Sequence, residues 1–258
     1  MPAPPPRRDR PARPVESTDG PKGDERWIDE GPAEVRRKGT EGGTKRRRQR
    51  NLTVAVPELS TMVGGRRAKT LEGKLSEAAT AFAAERYPES RTILGPIVAE
   101  VPDLPEAREL YGLTLYRLGR WRDAAKELKA FVELSGGSTE QHPVLADCYR
   151  ALGRHKEVAR LWLELKDASP TGELVTEGRI VAAGSLADQG DLAGAVALLS
   201  KGFALPKHAR EHQLRRAYAL ADLYERAGDL PQARELFVRI VRIEADYLDA
   251  AERAAGLA

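Results

Sequence analysis

PEARELYGLTLYRLGRWRDAAKELKAFVELSGGS, Pro105 to Ser138, decides the fold. Its apolar residues follow helical spacing in two blocks, Leu110, Tyr111, Leu115 and Leu118, then Ala124, Leu128, Phe131 and Val132. Gly119-Arg120 stands between the blocks, and glycine tolerates the positive φ that ends a helix in a tight turn. Gly112 and Ala124 are small where two paired helices need close backbone approach. The stretch therefore reads as a 34-residue helix-turn-helix.

Stepping outward from Gly119 tests whether the unit repeats. Gly153, Gly190 and Gly228 follow at intervals of 34, 37 and 38 residues, and one step back lands on Glu85. On that register the small position of each first helix is Ala78, Gly112, Ala146, Ala183 and Ala221. Each second helix offers Ser90, Ala124, Val158, Ala195 and Ala233, with Leu94, Leu128, Trp162, Leu199 and Phe237 one turn further on. A generic amphipathic bundle gives apolar stripes without such a fixed register. The length and pattern resemble the tetratricopeptide repeat (TPR), whose small residues recur at repeat positions 8 and 20. The tryptophan often found at position 4 of that family is replaced here by Arg108, His142, Arg179 and Ala217. The resemblance implies an all-α fold, a right-handed TPR-like superhelix of about five repeats (71–104, 105–138, 139–175, 176–213, 214–247) with a capping helix at 248–258.

Ahead of the repeats the composition changes. Residues 1–50 hold eight of the 17 prolines and few large apolar residues, so they are expected to form a disordered basic arm. Its charge concentrates in Lys45, Arg46, Arg47, Arg48 and Arg50, a run suited to phosphate backbones or acidic protein surfaces. An arginine-rich arm before such repeats is similar to a group of bacterial proteins of unknown function. Residues 51–70 read as a semi-ordered linker, with Leu52, Val54 and Val56 as a strap on the first repeat and Gly64-Gly65 as its end. Lys and Arg outnumber Asp and Glu by 17 to 10 in residues 1–70 but trail by 25 to 29 in 71–258, so the two parts are electrically opposed. Cys148 is the only cysteine, which excludes an intrachain disulfide. With no leader-like or membrane-spanning apolar run, a cytoplasmic protein is expected.

Catalytic and metal motifs are decoys on this reading. His208-Ala209-Arg210-Glu211-His212 matches H-x-x-E-H, but it falls in the connection before the fifth repeat with few residues after it. Gly39, Gly42, Gly43 and Lys45 fail the P-loop pattern, since Thr44 precedes the lysine and Arg46 follows it. No enzyme and no cofactor are expected. The TPR resemblance implies instead a concave groove lined by repeat positions 2, 5, 9 and 12. The polar and aromatic candidates there are Glu72, Glu106, Glu109, Tyr116, Glu140, Asp147, Arg150, Glu177, Arg215, Tyr218, Asp222 and Glu225, with Leu113 among the apolar ones. The expected function is an adaptor that binds a partner peptide or helix in this groove. The arm then serves an acidic partner or the groove itself, and the alternative is an RNA- or ribosome-associated protein that contacts phosphate through the arm.

Overall fold

The computed structural model describes residues 52–56 and 58–257, and the arm with Lys45 to Arg50 lies outside them. Among the described residues every regular element is a helix: α1 (Leu59–Val63), α2 (Gly65–Ala83), α3 (Tyr87–Glu100), α4 (Pro105–Arg117), α5 (Trp121–Leu134), α6 (His142–Ala151), α7 (His155–Ala168), α8 (Gly172–Asp188), α9 (Leu192–Ser200), α10 (Glu211–Arg226), α11 (Leu230–Ile243) and α12 (Ala250–Gly256). From α2 to α11 they pack as five hairpins, each against the next. None is long and apolar enough to cross a membrane.

The five hairpins turn by one device. Gly119 N–H bonds to the Tyr116 carbonyl and Arg120 N–H to the Leu115 carbonyl, the paired pattern of a Schellman motif. The same pair recurs after Gly153, Gly190 and Gly228, all with φ between 68° and 84°. Glu85 makes the same bonds at φ 59° although it carries a side chain, because the hairpin geometry demands the left-handed residue whatever stands there. The glycine periodicity is therefore a turn periodicity.

Packing explains the rest of the register. Ala78, Ala183, Ala221, Ser90, Ala124, Ala195 and Ala233 are wholly buried, and Leu94, Leu128, Leu199 and Phe237 fill the space beside them. A Cβ added to Gly112 would lie 2.7 Å from Leu128 Cγ and 3.1 Å from the Leu128 backbone nitrogen, so this hairpin closes only around a glycine. Cys148 is buried as well, and its surroundings push the thiol up, out of nucleophilic range.

Residues 51–70 are the stretch read from the sequence as a linker with a strap on the first repeat. Two helical segments occupy it, α1 and the first turns of α2, because Leu59 and Ala68 are buried in the same apolar cluster as Val56, Leu71 and Leu75. Residues 52–56 run extended along α2. Leu52, Val54 and Val56 donate their backbone N–H groups to Thr80 Oγ1 (3.0 Å), Ser76 Oγ (2.9 Å) and Glu72 Oε1 (3.3 Å). Alternate residues of an extended chain thus meet every fourth residue of a helix.

Candidate functional site: the face of the first helices

Two rows of side chains decide what this face offers. Positions 6 and 10 of the repeat turn toward the preceding hairpin: Thr114 Oγ1 lies 3.2 Å from Ser90 Oγ of α3, and Ser185 Oγ lies 2.8 Å from His155 Nδ1 of α7. Ser76 and Thr80 hold these positions in the first repeat, where the strap takes the place of a preceding hairpin. On the far side of the fifth repeat, Arg253 of α12 falls at position 6 of the register counted on from it and likewise reaches back. It donates to Asp222 (2.8 Å), Glu225 (2.8 Å) and the Tyr218 hydroxyl (3.2 Å). Burial works to lower its pKa, but these three hydrogen bonds outweigh it and hold the guanidinium above its ordinary value.

Between the two ends the groove candidates pair with one another across neighbouring repeats. Tyr116 donates to Asp147 (2.8 Å), Asp147 lies 3.5 Å from Arg150, and Arg150 forms a two-pronged bond with Asp188 at 2.6 and 3.1 Å. The Arg150 guanidinium lies over Gly184, where a Cβ would meet it at 3.0 Å. Glu177 pairs with Arg215 at 2.8 Å, although burial still raises the pKa of this carboxyl. Tyr218 donates to Asp249 (2.5 Å), and burial with that bond pushes it up to about 12. Glu72 is engaged by the strap. Leu113 packs beside the core of the second and third repeats, while Leu75 and Ile180, at position 5 of their repeats, are buried.

Three acids stand apart from this pairing. Glu109 accepts from Gln141 (2.8 Å), yet its pKa is raised, first by burial and then by the charges of Glu140 and Glu106. One Glu106 carboxylate oxygen is buried without a hydrogen-bond partner. Among the described residues no Lys or Arg pairs with Glu106, Glu109 or Glu140, and α4 and α6, which carry or adjoin them, touch less closely than α6 and α8. Reading by register found these acids, but missed Arg253 and Asp188, whose partners lie 31 and 38 residues away.

The H-x-x-E-H residues do not assemble. His208 lies in a turn before α10, whereas Glu211 opens that helix and His212 lies 3.7 Å from Glu173. No His, Cys, Asp and Glu cluster suited to a metal occurs among the described residues.

An all-helical array with Schellman-turned hairpins and small residues at fixed positions has the TPR fold. The structure is similar to TTC0263, a TPR protein of Thermus thermophilus, at 22% identity and TM-score 0.55, covering 72% of this chain and 98% of that one. It is also similar to PilF of Pseudomonas aeruginosa, at 12% identity and TM-score 0.52, covering 75% and 90%. Human IFIT1, solved as a dimer with m7Gppp-AAAA, matches at 16% identity and TM-score 0.50; the match covers 72% of this chain but only 45% of IFIT1. No protein-family model matches the sequence, and no curated protein does.

Proposed function

We propose that the array is an adaptor that binds a peptide segment of a protein partner across the first helices of repeats two and three, and that the peptide brings a lysine or arginine to Glu106, Glu109 and Glu140. The observation that carries this reading is the uneven pairing of the groove. Every other acid on this face that was expected to meet a partner already has a cation or a hydrogen-bond donor from its own chain. These three have only Gln141 between them, and crowded carboxylates in partial burial are relieved by a cation. Tyr116 and Leu113, half-buried on the same helix, supply apolar surface beside the charge.

The experiment is a titration of the chain with extended peptides that carry a single central lysine, and with the same peptides carrying norleucine or glutamate. Lysine peptides are expected to bind, with Glu106→Gln and Glu109→Gln each weakening them about tenfold, in line with loss of a charge-assisted bond. Equal binding of the norleucine peptide would remove the proposed role of the acids. The RNA reading rests on the arm, outside the described residues; salt dependence of RNA binding with and without residues 1–50 tests it separately.

A further inference from the structure

Position 4 of the repeat carries Arg108, His142 and Arg179 in repeats two to four. In repeats two and three an acid on the second helix answers it: Arg108 pairs with Glu127, and His142 Nε2 lies 3.1 Å from Glu164 Oε2. Glu127 stands three residues after the small residue Ala124, and Glu164 six after its equivalent, Val158. The matching places in repeat four, counted from Ala195, hold Leu198 and Lys201. The acid is missing there.

What Arg179 meets instead is backbone and a second cation. Its Nη1 donates to the Lys201 carbonyl (2.9 Å), and Arg216 of α10 donates to the same oxygen through Nη2 (2.7 Å). Arg216 also reaches the Leu199 carbonyl through Nε (2.9 Å) and Nη2 (2.6 Å). Two guanidinium groups that share one acceptor oxygen are close neighbours. Burial lowers both pKa values, and Arg179 adds to the effect on Arg216, which is pushed down to about 10. No carboxylate offsets either among the described residues.

The carbonyls they hold belong to the end of α9, only nine residues long. A helix C-terminus carries roughly half a negative charge, so two full positive charges are left mostly uncompensated. Each guanidinium has donors to spare: Arg179 Nε and Nη2 and Arg216 Nη1 make no hydrogen bond to the described residues. The Trp162 ring sits 5.6 Å from the Arg179 guanidinium and the Phe203 ring 5.5 Å from that of Arg216, so aromatic faces steady both groups. Both side chains are half-buried, and their bonds to Lys201 lie at the surface, open to a small solute.

We propose that Arg179 and Arg216 form a binding site for a phosphate-class oxyanion at the seam between repeats four and five. A doubly charged anion with several oxygens matches two cations and three spare donor atoms, where a carboxylate would neutralise only one charge. The site lies on different side chains from the acidic groove and does not depend on what binds there.

The test uses the full chain titrated with sodium phosphate at constant ionic strength, followed by phosphorus NMR line broadening and by Tm. Phosphate is expected to broaden and to raise Tm, with acetate and chloride inert at the same ionic strength. Arg179→Gln and Arg216→Gln should each weaken the response about tenfold, and the double variant should abolish it. Because those variants also release the α9 carbonyls, Lys201→Glu is the second arm: it places an acid where Glu164 stands in repeat three, should fold normally, and should remove phosphate binding. A phosphate response that persists in Lys201→Glu or in the double variant, or an equal response to acetate, overturns the proposal.

Discussion

Single residues carry consequences out of proportion to their size in this array. Glu85 sits at φ 59°, where a side chain costs about 1 to 2 kcal/mol and glycine costs nothing in contact. Glu85→Gly is therefore expected to stabilise the protein, by about 1 kcal/mol after the added freedom of the unfolded chain is deducted, read from urea unfolding midpoints. Gly112 is the opposite case. A methyl there meets Leu128 at 2.7 Å and its backbone at 3.1 Å, so Gly112→Ala should lose about 1 to 3 kcal/mol by overpacking, even though alanine is the better helix former. His142 adds a pH dependence. Burial lowers its pKa against the opposing pull of Glu164, with Arg160 lowering it further, and one ring nitrogen is buried without a partner. The unfolded chain then takes up the proton first as pH falls below about 6.5, so stability from this group is present above that value and lost beneath it. Urea midpoints at pH 7.5 and 5.5 should differ, and His142→Gln should shrink the difference; an unchanged slope would place its origin elsewhere.

At the scale of elements, the five hairpins are flanked by two unlike pieces, and this is where the sequence was least legible. The hairpins were readable because their determinants are local: a left-handed turn residue, small residues at a fixed offset, apolar residues one turn on. Leu52 to Val56 shows no such period, and its bonds to Glu72, Ser76 and Thr80 run from backbone to side chain, which leaves no mark in residue type. Its apolar alternation and its place on the first repeat were visible, but not the bonds that hold it there. Arg253 is one charge on a short helix until the register shows that position 6 faces backward onto Asp222 and Glu225. The acids of the proposed site could be named one by one from the sequence, whereas their pairing depends on which helices sit side by side. Both end pieces should be necessary. Val56→Asp puts a charge where the side chain is 1% exposed and should cost about 3 kcal/mol or more. Arg253→Ala leaves the largely buried Asp222 with Arg226 at 3.9 Å as its remaining cation and should cost about 3 kcal/mol, in contrast to Arg67→Ala, whose exposed pair with Glu100 should be worth little. Thermal unfolding of the three variants ranks them.

At the scale of the whole array, contacts among the described residues run mostly between a helix and the one or two that follow it, and apolar clusters are shared by adjacent repeats rather than gathered into one centre. Stability in such an array is a chain of nearest-neighbour terms, so a fault should be felt close to where it is made. The two end variants provide the comparison. In Val56→Asp, amide hydrogen exchange should speed up in α2 and α3, whose core residues Leu71, Leu75, Leu94 and Ile97 share a cluster with Val56, while α10 and α11 keep their protection. Arg253→Ala should do the reverse, loosening α10, α11 and α12 around Asp222 and Phe237, whose ring lies 4.5 Å from the Arg253 guanidinium, and leaving α2 unchanged. Gly112→Ala, placed between the ends, should raise exchange in α4 and α5 first and only then in the hairpins on either side. A uniform rise across all helices in either end variant would mean that the array unfolds as one cooperative block, and the nearest-neighbour account would then fail.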